Sequence, residues 1–310
     1  MQRRNCKISA KPVSERRPVF CIPFGGGTYL FSGVMQMICL WQEFLNIIPS
    51  WLRREMGIQE QQRLQELRLR VGAPPELNYG QKSLWLNRII YQEDVAFCVN
   101  SASQYSPWAS ETVAQGYLAA PGGHRVGLCG QGIVRQGVLT GLRDISSVCI
   151  RVARDFPGAA EGIHDTGSIL ILGAPGWGKT TLLRDLIRKR AGRECVCVVD
   201  ERGELFPEAL PRGKRMDVMR GVPKQEGMEM ALRTMGPDCI AVDEITSQED
   251  CSAILHANRC GVSLLATAHA GSLEDYLSRK VYAPLIQGDV FDRIIQLRRD
   301  KSFREERVVS

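Results

Sequence analysis

A glycine loop between an apolar strand-like run and a helix-like run constrains this chain more than any other feature. Gly173-Ala174-Pro175-Gly176-Trp177-Gly178-Lys179-Thr180-Thr181 fits G-x-x-x-x-G-K-[ST]. Ser168-Ile-Leu-Ile-Leu172 before it is short, apolar and β-rich. Thr181 to Ala191 after it has helical spacing, with Leu182, Leu183, Leu186 and Ile187 on one face. A chance glycine turn has no reason to sit in that frame. Backbone N–H groups of such a loop wrap phosphates, the helix start adds its positive dipole end, and Lys179 brings a full charge to the β and γ oxygens. The expected ligand is ATP, with Thr180 offering its hydroxyl to Mg²⁺.

About sixty residues downstream, Cys239-Ile-Ala-Val242 forms an apolar strand that ends in Asp243-Glu244, a Walker B pattern. Acids at the carboxyl end of a buried parallel strand face the crevice where ligands bind. Asp243 is the second candidate metal holder, and Glu244 the candidate base that deprotonates the attacking water. A helix cap or a solvated loop pair is the bland alternative for two such acids. Two more strands end in polar residues: Cys195 to Val199 runs into Asp200-Glu201-Arg202, and Ser263 to Ala268 into His269. His269 is a candidate γ-phosphate sensor or a structural histidine, and Arg202 beside its acids reads as an intradomain salt bridge. Strands are expected near 168–172, 195–200, 239–243, 263–268 and 292–297, separated by helical or irregular segments. The expected fold class is α/β, a P-loop NTPase core with a parallel sheet, plus a smaller α+β N-terminal domain.

The stretches VVDERGEL, GVPKQEGMEMALRTMGPDCIAVDEI and LLATAHAGS, with Leu67 to Gly72, Gly122 to Gly127 and Gly141 to Ser147 upstream, resemble the stage III sporulation protein AA family over residues 45 to 300. That resemblance implies a mother-cell ATPase of a sporulation channel complex. The family is similar in turn to the RecA-like ATPases of type II and type IV secretion, whose acidic box, Walker B and histidine box align with Asp200-Glu201, Asp243-Glu244 and His269. Glu201 enters the candidate catalytic set on this ground. Homo-hexamers and membrane-protein partners of the channel are implied likewise, as is an arginine that approaches the nucleotide from the N-terminal domain. Arg151 and Arg154 are preferred for that role over Arg143, with ordinary surface arginines as the alternative. Thr246 and Ser247 stand where the family usually has a glycine and a basic residue, so no arginine contact is expected there.

The net charge of +6 is concentrated at the N-terminus: residues 1 to 20 hold six basic side chains against Glu15, and the remainder is close to neutral. A large nucleic-acid face is therefore not expected, although a RecA-like nucleic-acid-dependent ATPase is the alternative function. The eleven cysteines include no C-x-x-C pair and do not combine with the four histidines at finger-like spacing. Reduced thiols, no structural metal and a cytoplasmic location, peripheral to a membrane through a partner, are expected.

Residues 1–44 read as a basic and apolar extension outside the folded domains. Pro18 to Gln42 has no charged side chain, but four glycines and two prolines make it a poor membrane helix. A disordered tail, a membrane-contacting segment and a start at Met35 or Met37 are the readings of it. The N-terminal domain is placed at 45–157, with an amphipathic helix over Trp51 to Leu69 and a hairpin around Ala120-Pro-Gly-Gly123. The P-loop domain is placed at 158–310, opening with the linker Pro157 to Gly162.

Overall fold

The computed structural model describes residues 39–56, 63–80, 82–104, 113, 116–207, 210–300 and 302–307. They divide into two units, one from the described residues of 37–155 and 207–210, the other from 156–206 and 211–307.

The first unit opens with two short helices, α1 (Trp41–Asn46) and α2 (Ser50–Glu55). Six antiparallel strands follow: β1 (Glu66–Arg70), β2 (Glu76–Asn78), β3 (Ser83–Trp85), β4 (Tyr117–Ala119), β5 (Arg125–Arg135) and β6 (Val138–Arg151), in the order β3-β2-β1-β6-β5-β4. Helix α3 (Gln92–Ala102) lies between β3 and β4 in sequence, and its Trp51–Asp94 bond of 2.7 Å ties it to α2. Phe44, Leu52, Leu67, Leu77, Val126 and Ile150 are fully buried in the core of this unit.

Two sequence expectations change here. The helix expected over Trp51 to Leu69 ends at Glu55, residues 57–62 lie outside the described residues, and Glu66–Arg70 is a strand. Along Glu66-Leu-Arg-Leu-Arg70 burial alternates with period two, which a strand satisfies and a helix does not. Packing also begins before residue 45, since Trp41–Asn46 is helical and Phe44 is fully buried. Of the proposed extension, residues 1–38 lie outside the described residues.

The expected hairpin forms between β4 and β5 through a 3-10 turn at Pro121–Gly123, where Gly122 and Gly123 take φ of 75° and 76°. His124 at its end is a structural histidine: Nδ1 accepts from the Ala153 N–H, leaving Nε2 to donate to the Leu40 carbonyl, and burial lowers its pKa toward the neutral form.

The second unit carries the phosphate loop. Its strands are β7 (Ile169–Leu172), β8 (Val196–Asp200), β9 (Met216–Arg220), β10 (Cys239–Ile245), β11 (Ser263–Ala268), β12 (Arg293–Leu297) and β13 (Phe303–Arg307). They form one sheet in the order β13-β12-β7-β11-β10-β8-β9, parallel throughout except for the antiparallel edge strand β13. Five of these strands were legible in the sequence. β9 and β13 were not, because Met216–Arg220 and Phe303–Arg307 lie at the sheet edges and carry charges that hide a strand pattern.

The apolar strands are buried on both faces, as parallel strands between helix layers must be. Ile169, Ile171, Val196, Val198, Ala241 and Leu265 pack toward α4 (Lys179–Arg190), the helix that follows the phosphate loop. Their alternates Leu170, Leu172, Val199, Ile240, Val242 and Leu264 pack toward α5 (Lys224–Thr234) and α6 (Gln248–Arg259). The short helices α7 (Leu273–Ser278) and α8 (Ala283–Gln287) extend that second layer. Each fully buried Leu, Ile or Val contributes roughly 1.5–3 kcal/mol, so the edge that carries the loop stands on a stiff base.

Helix α4 is anchored at its middle and at its carboxyl end. Asp185 accepts from the N–H groups of Gly158 and Ala160 at 3.0 and 2.8 Å, and the buried Arg190 donates to the Asp165 carbonyl and, at 3.0 Å, to Ser263 Oγ. No helix among the described residues is long and apolar enough to cross a membrane.

Candidate nucleotide site at the carboxyl edge of the parallel sheet

Because β11 lies between β7 and β10 and all three are parallel, three carboxyl ends stand side by side. The glycine loop leaves β7, Thr267 and His269 end β11, and Asp243 and Glu244 end β10.

Gly176 takes φ of 75°, and a Cβ there would meet nothing within 4 Å; Gly178 takes φ of 101° and is the N-cap of α4. These left-handed values explain the glycines, since an L side chain resists them. No side chain caps α4. A helix start without a side-chain cap, reached through glycines, is the arrangement that phosphate oxygens fill. The nine residues Gly173, Ala174, Pro175, Gly176, Trp177, Gly178, Lys179, Thr180 and Thr181 therefore lie together as loop and first helical turn. The fit to a nucleotide phosphate is good on this geometry.

Lys179 is only 6% exposed, and its ammonium donates to the Ala174 carbonyl at 3.2 Å and to Nδ1 of His269 at 3.1 Å. An ammonium can only donate, so Nδ1 accepts and Nε2 of His269 carries the hydrogen. That nitrogen is 2.8 Å from Glu244 Oε1. The other oxygen of Glu244 accepts from Arg202 at 2.9 Å. Lysine, histidine, glutamate and arginine thus form one continuous chain across the ends of four strands, β7, β11, β10 and β8.

The metal-holding candidates also meet: Thr180 Oγ1 donates to Asp243 Oδ2 at 2.9 Å. A hydroxyl and a carboxylate side by side at the helix start are hard oxygen donors of the kind Mg²⁺ takes with a phosphate.

Strand β10 departs from regularity at this point. Val242 pairs with Ala266 and Ile245 with Ala268, so Asp243 and Glu244 together oppose Thr267 alone. This is a β-bulge, and Glu244 sits in it with φ of 56°, a left-handed conformation rare for a residue with a side chain.

The acidic strand end at β8 is arranged otherwise. Asp200 accepts from the N–H groups of Glu204, Leu205 and Phe206 and so closes a turn; burial pushes its carboxyl up, against the pull of those bonds. Glu201 pairs with Lys224 at 2.9 Å, and Lys224 also reaches Asp250 at 3.5 Å. Arg202 does form a salt bridge within its unit, but with Glu244 rather than with its sequence neighbours. Adjacency in sequence misleads there, since only the parallel register of β8 on β10 brings the two strand ends together.

The preferred arginines belong to the first unit. Arg151, at the end of β6, pairs with Glu66 at 3.2 Å, and Arg154 donates to the Leu64 carbonyl at 2.6 Å, with burial lowering its pKa. Arg143 bonds Gln131 at 3.0 Å on the β5–β6 ribbon.

Comparison with known proteins agrees with this architecture. The family described as "Sporulation stage III, protein AA" matches residues 41–308. The Stage III sporulation protein AA of Bacillus subtilis (strain 168) is 36% identical over 280 residues, which cover 84% of this chain and 91% of that protein. Among solved structures, the Legionella pneumophila ATPase DotB superposes with a TM-score of 0.57 at 18% identity, over 83% of this chain and 79% of that one. The pilus retraction motor PilT with bound ADP gives 0.55 at 16% identity, over 79% and 78%. At those identities the likeness establishes the fold: a RecA-like P-loop core with a parallel sheet and a smaller N-terminal domain.

Proposed function

This chain belongs to the stage III sporulation protein AA family, and on that premise we propose that it is a Mg²⁺-dependent ATPase. It works as a homo-hexamer that powers a secretion or feeding channel between mother cell and forespore. The observation that carries the reading is the meeting of Lys179, Thr180, Asp243, Glu244 and His269 at one sheet edge, in a hydrogen-bonded chain in which Thr267 joins Asp243 to Glu244.

Gly173 to Thr181 bind and orient the phosphates, and Lys179 holds the β and γ oxygens. Thr180 and Asp243 would hold Mg²⁺, which supplies charge neutralisation on those oxygens when bound. Glu244 accepts a proton from the attacking water, and His269 holds its carboxylate through Oε1. Glu201, paired with Lys224, lines one cavity with Asp243 and Glu244 and is assigned a supporting role. Arg151 or Arg154 is the candidate to stabilise the transferring γ-phosphoryl charge. The partners are membrane proteins of the channel complex, so the ATPase is peripheral to the membrane through them.

The test is ATP turnover of the purified protein and of Glu244→Gln across protein concentration, with mass measured by light scattering. Turnover that rises as a hexamer forms, and is lost in a variant that still binds ATP, is expected. A monomer with flat turnover per chain that increases only with single-stranded nucleic acid would sink the reading.

A further inference from the structure

Consecutive residues of a regular strand point to opposite faces of a sheet. Asp243 and Glu244 nevertheless both engage the phosphate-loop edge, Asp243 through Thr180 and Glu244 through His269. The two-against-one bulge makes this possible by adding a residue where the ladder expects none.

A bulge has a cost, because the backbone N–H of the extra residue loses its ladder acceptor and a buried N–H needs another. Glu244 N–H finds it in a side chain, Oγ1 of Thr267, at 2.8 Å. The same hydroxyl has one hydrogen, which it donates to Oδ1 of Asp243 at 2.6 Å. Thr267 is fully buried, so its hydroxyl has no water to turn to in place of these two partners. One hydroxyl therefore fixes the peptide of Glu244 in its left-handed conformation and turns the carboxylate of Asp243, whose other oxygen meets Thr180. Valine would fill the strand position at nearly the same shape, but it could make neither bond.

We propose that Thr267 is a positioning residue: its hydroxyl sets the metal-holding carboxylate and the water-activating carboxylate in register with each other. This rests on the reading of the site as an Mg²⁺-dependent ATPase.

The experiment compares full-length wild type, Thr267→Val, which removes the hydroxyl at nearly constant shape, and Thr267→Ser, which keeps it. Turnover at saturating ATP, KM, and equilibrium ATP binding with and without Mg²⁺ are measured for each. In the valine variant kcat is expected to fall by about a hundredfold with KM changed less than about threefold, the scale set by misplacing a reacting group. The tightening of ATP binding by Mg²⁺ shrinks in the same variant, and serine restores both. If the valine variant does not fold, Thr267→Ala, which also lacks the hydroxyl, is read in the same way. If wild type itself shows no turnover, the ATPase reading fails, and the binding measurement alone decides: Mg²⁺ tightening lost in valine and kept in serine upholds the role of Thr267. Equal Mg²⁺ tightening in wild type and valine, including none in either, overturns it. So does a serine variant as deficient as the valine one.

Discussion

Nε2 of His269 lies 2.8 Å from Oε1 of Glu244, while Nδ1 of the same ring accepts from Lys179 at 3.1 Å. The imidazole therefore links the group assigned to the phosphates with the group assigned to the water. Phosphate oxygens that draw the Lys179 ammonium away from Nδ1 change what the ring can do for Glu244. His269→Ala should retain ATP binding and lose about tenfold or more in kcat, since the Glu244 carboxylate then keeps its Arg202 contact and loses the one from His269. Fluorescent-nucleotide titration alongside steady-state turnover checks this, and a variant with unchanged kcat removes His269 from the mechanism.

Gly178→Ala should abolish nucleotide binding at small cost to the fold. Gly178 takes φ of 101° at the N-cap of α4, and forcing a Cβ into left-handed space costs on the order of 1–2 kcal/mol. The loop can relieve that strain only by changing the path of the phosphate-binding backbone. Thermal unfolding with and without ATP separates the outcomes: a nearly unchanged melting point that no longer rises with ATP is expected.

Arg151 and Arg154 should separate in kind. The Arg151–Glu66 pair is solvent-exposed on the arginine side, so Arg151→Ala should shift stability by about 0.5 kcal/mol or less. A much larger loss of turnover in that variant assigns it to the reaction. Mixing Arg151→Ala with Glu244→Gln then restores part of the activity only if a site draws residues from two subunits. Arg154 is partly buried and bonds the Leu64 carbonyl, so Arg154→Ala should cost about 1–3 kcal/mol of stability whatever its role.

Asp165 should make acid stability of the P-loop unit measurable at one residue. Burial raises its carboxyl, but the bond from Arg193 at 2.7 Å and the charges of Lys189 and Arg193 outweigh that and hold the pKa below the ordinary 3.8. A folded pKa below the unfolded one means stability present above the unfolded value and lost as pH falls through the folded value. Asp165→Asn should therefore unfold more easily than wild type at neutral pH, and the gap should close as pH falls below about 4. Thermal melts from neutral to acid pH follow it, and a pH-independent gap contradicts the assignment.

Much of the candidate site was legible before any coordinates. Strand, glycine loop and helix follow one another in sequence, so local pattern alone placed Gly173 to Thr181. The apolar runs that end in Asp243-Glu244 and in His269 were visible because parallel strands buried on both faces must be almost wholly apolar. Thr267 was passed over as one more strand residue, since its role depends on a bulge that sequence periodicity does not encode. Of the helix expected over Trp51 to Leu69, Glu66 to Leu69 was misread because isolated leucines fit a period of 3.6 as easily as one of two, and the strand wins through its pairing with β2 and β6.

The sequence by itself determined the phosphate loop, the strand ends and the parallel α/β class, because each depends on residues close in the chain. Only the tertiary structure decided that Arg202 grips Glu244, that Glu201 turns to Lys224, and that Thr267 bridges two consecutive acids. Those choices depend on strand order and register, which sum many weak long-range contacts and leave no trace in any single segment.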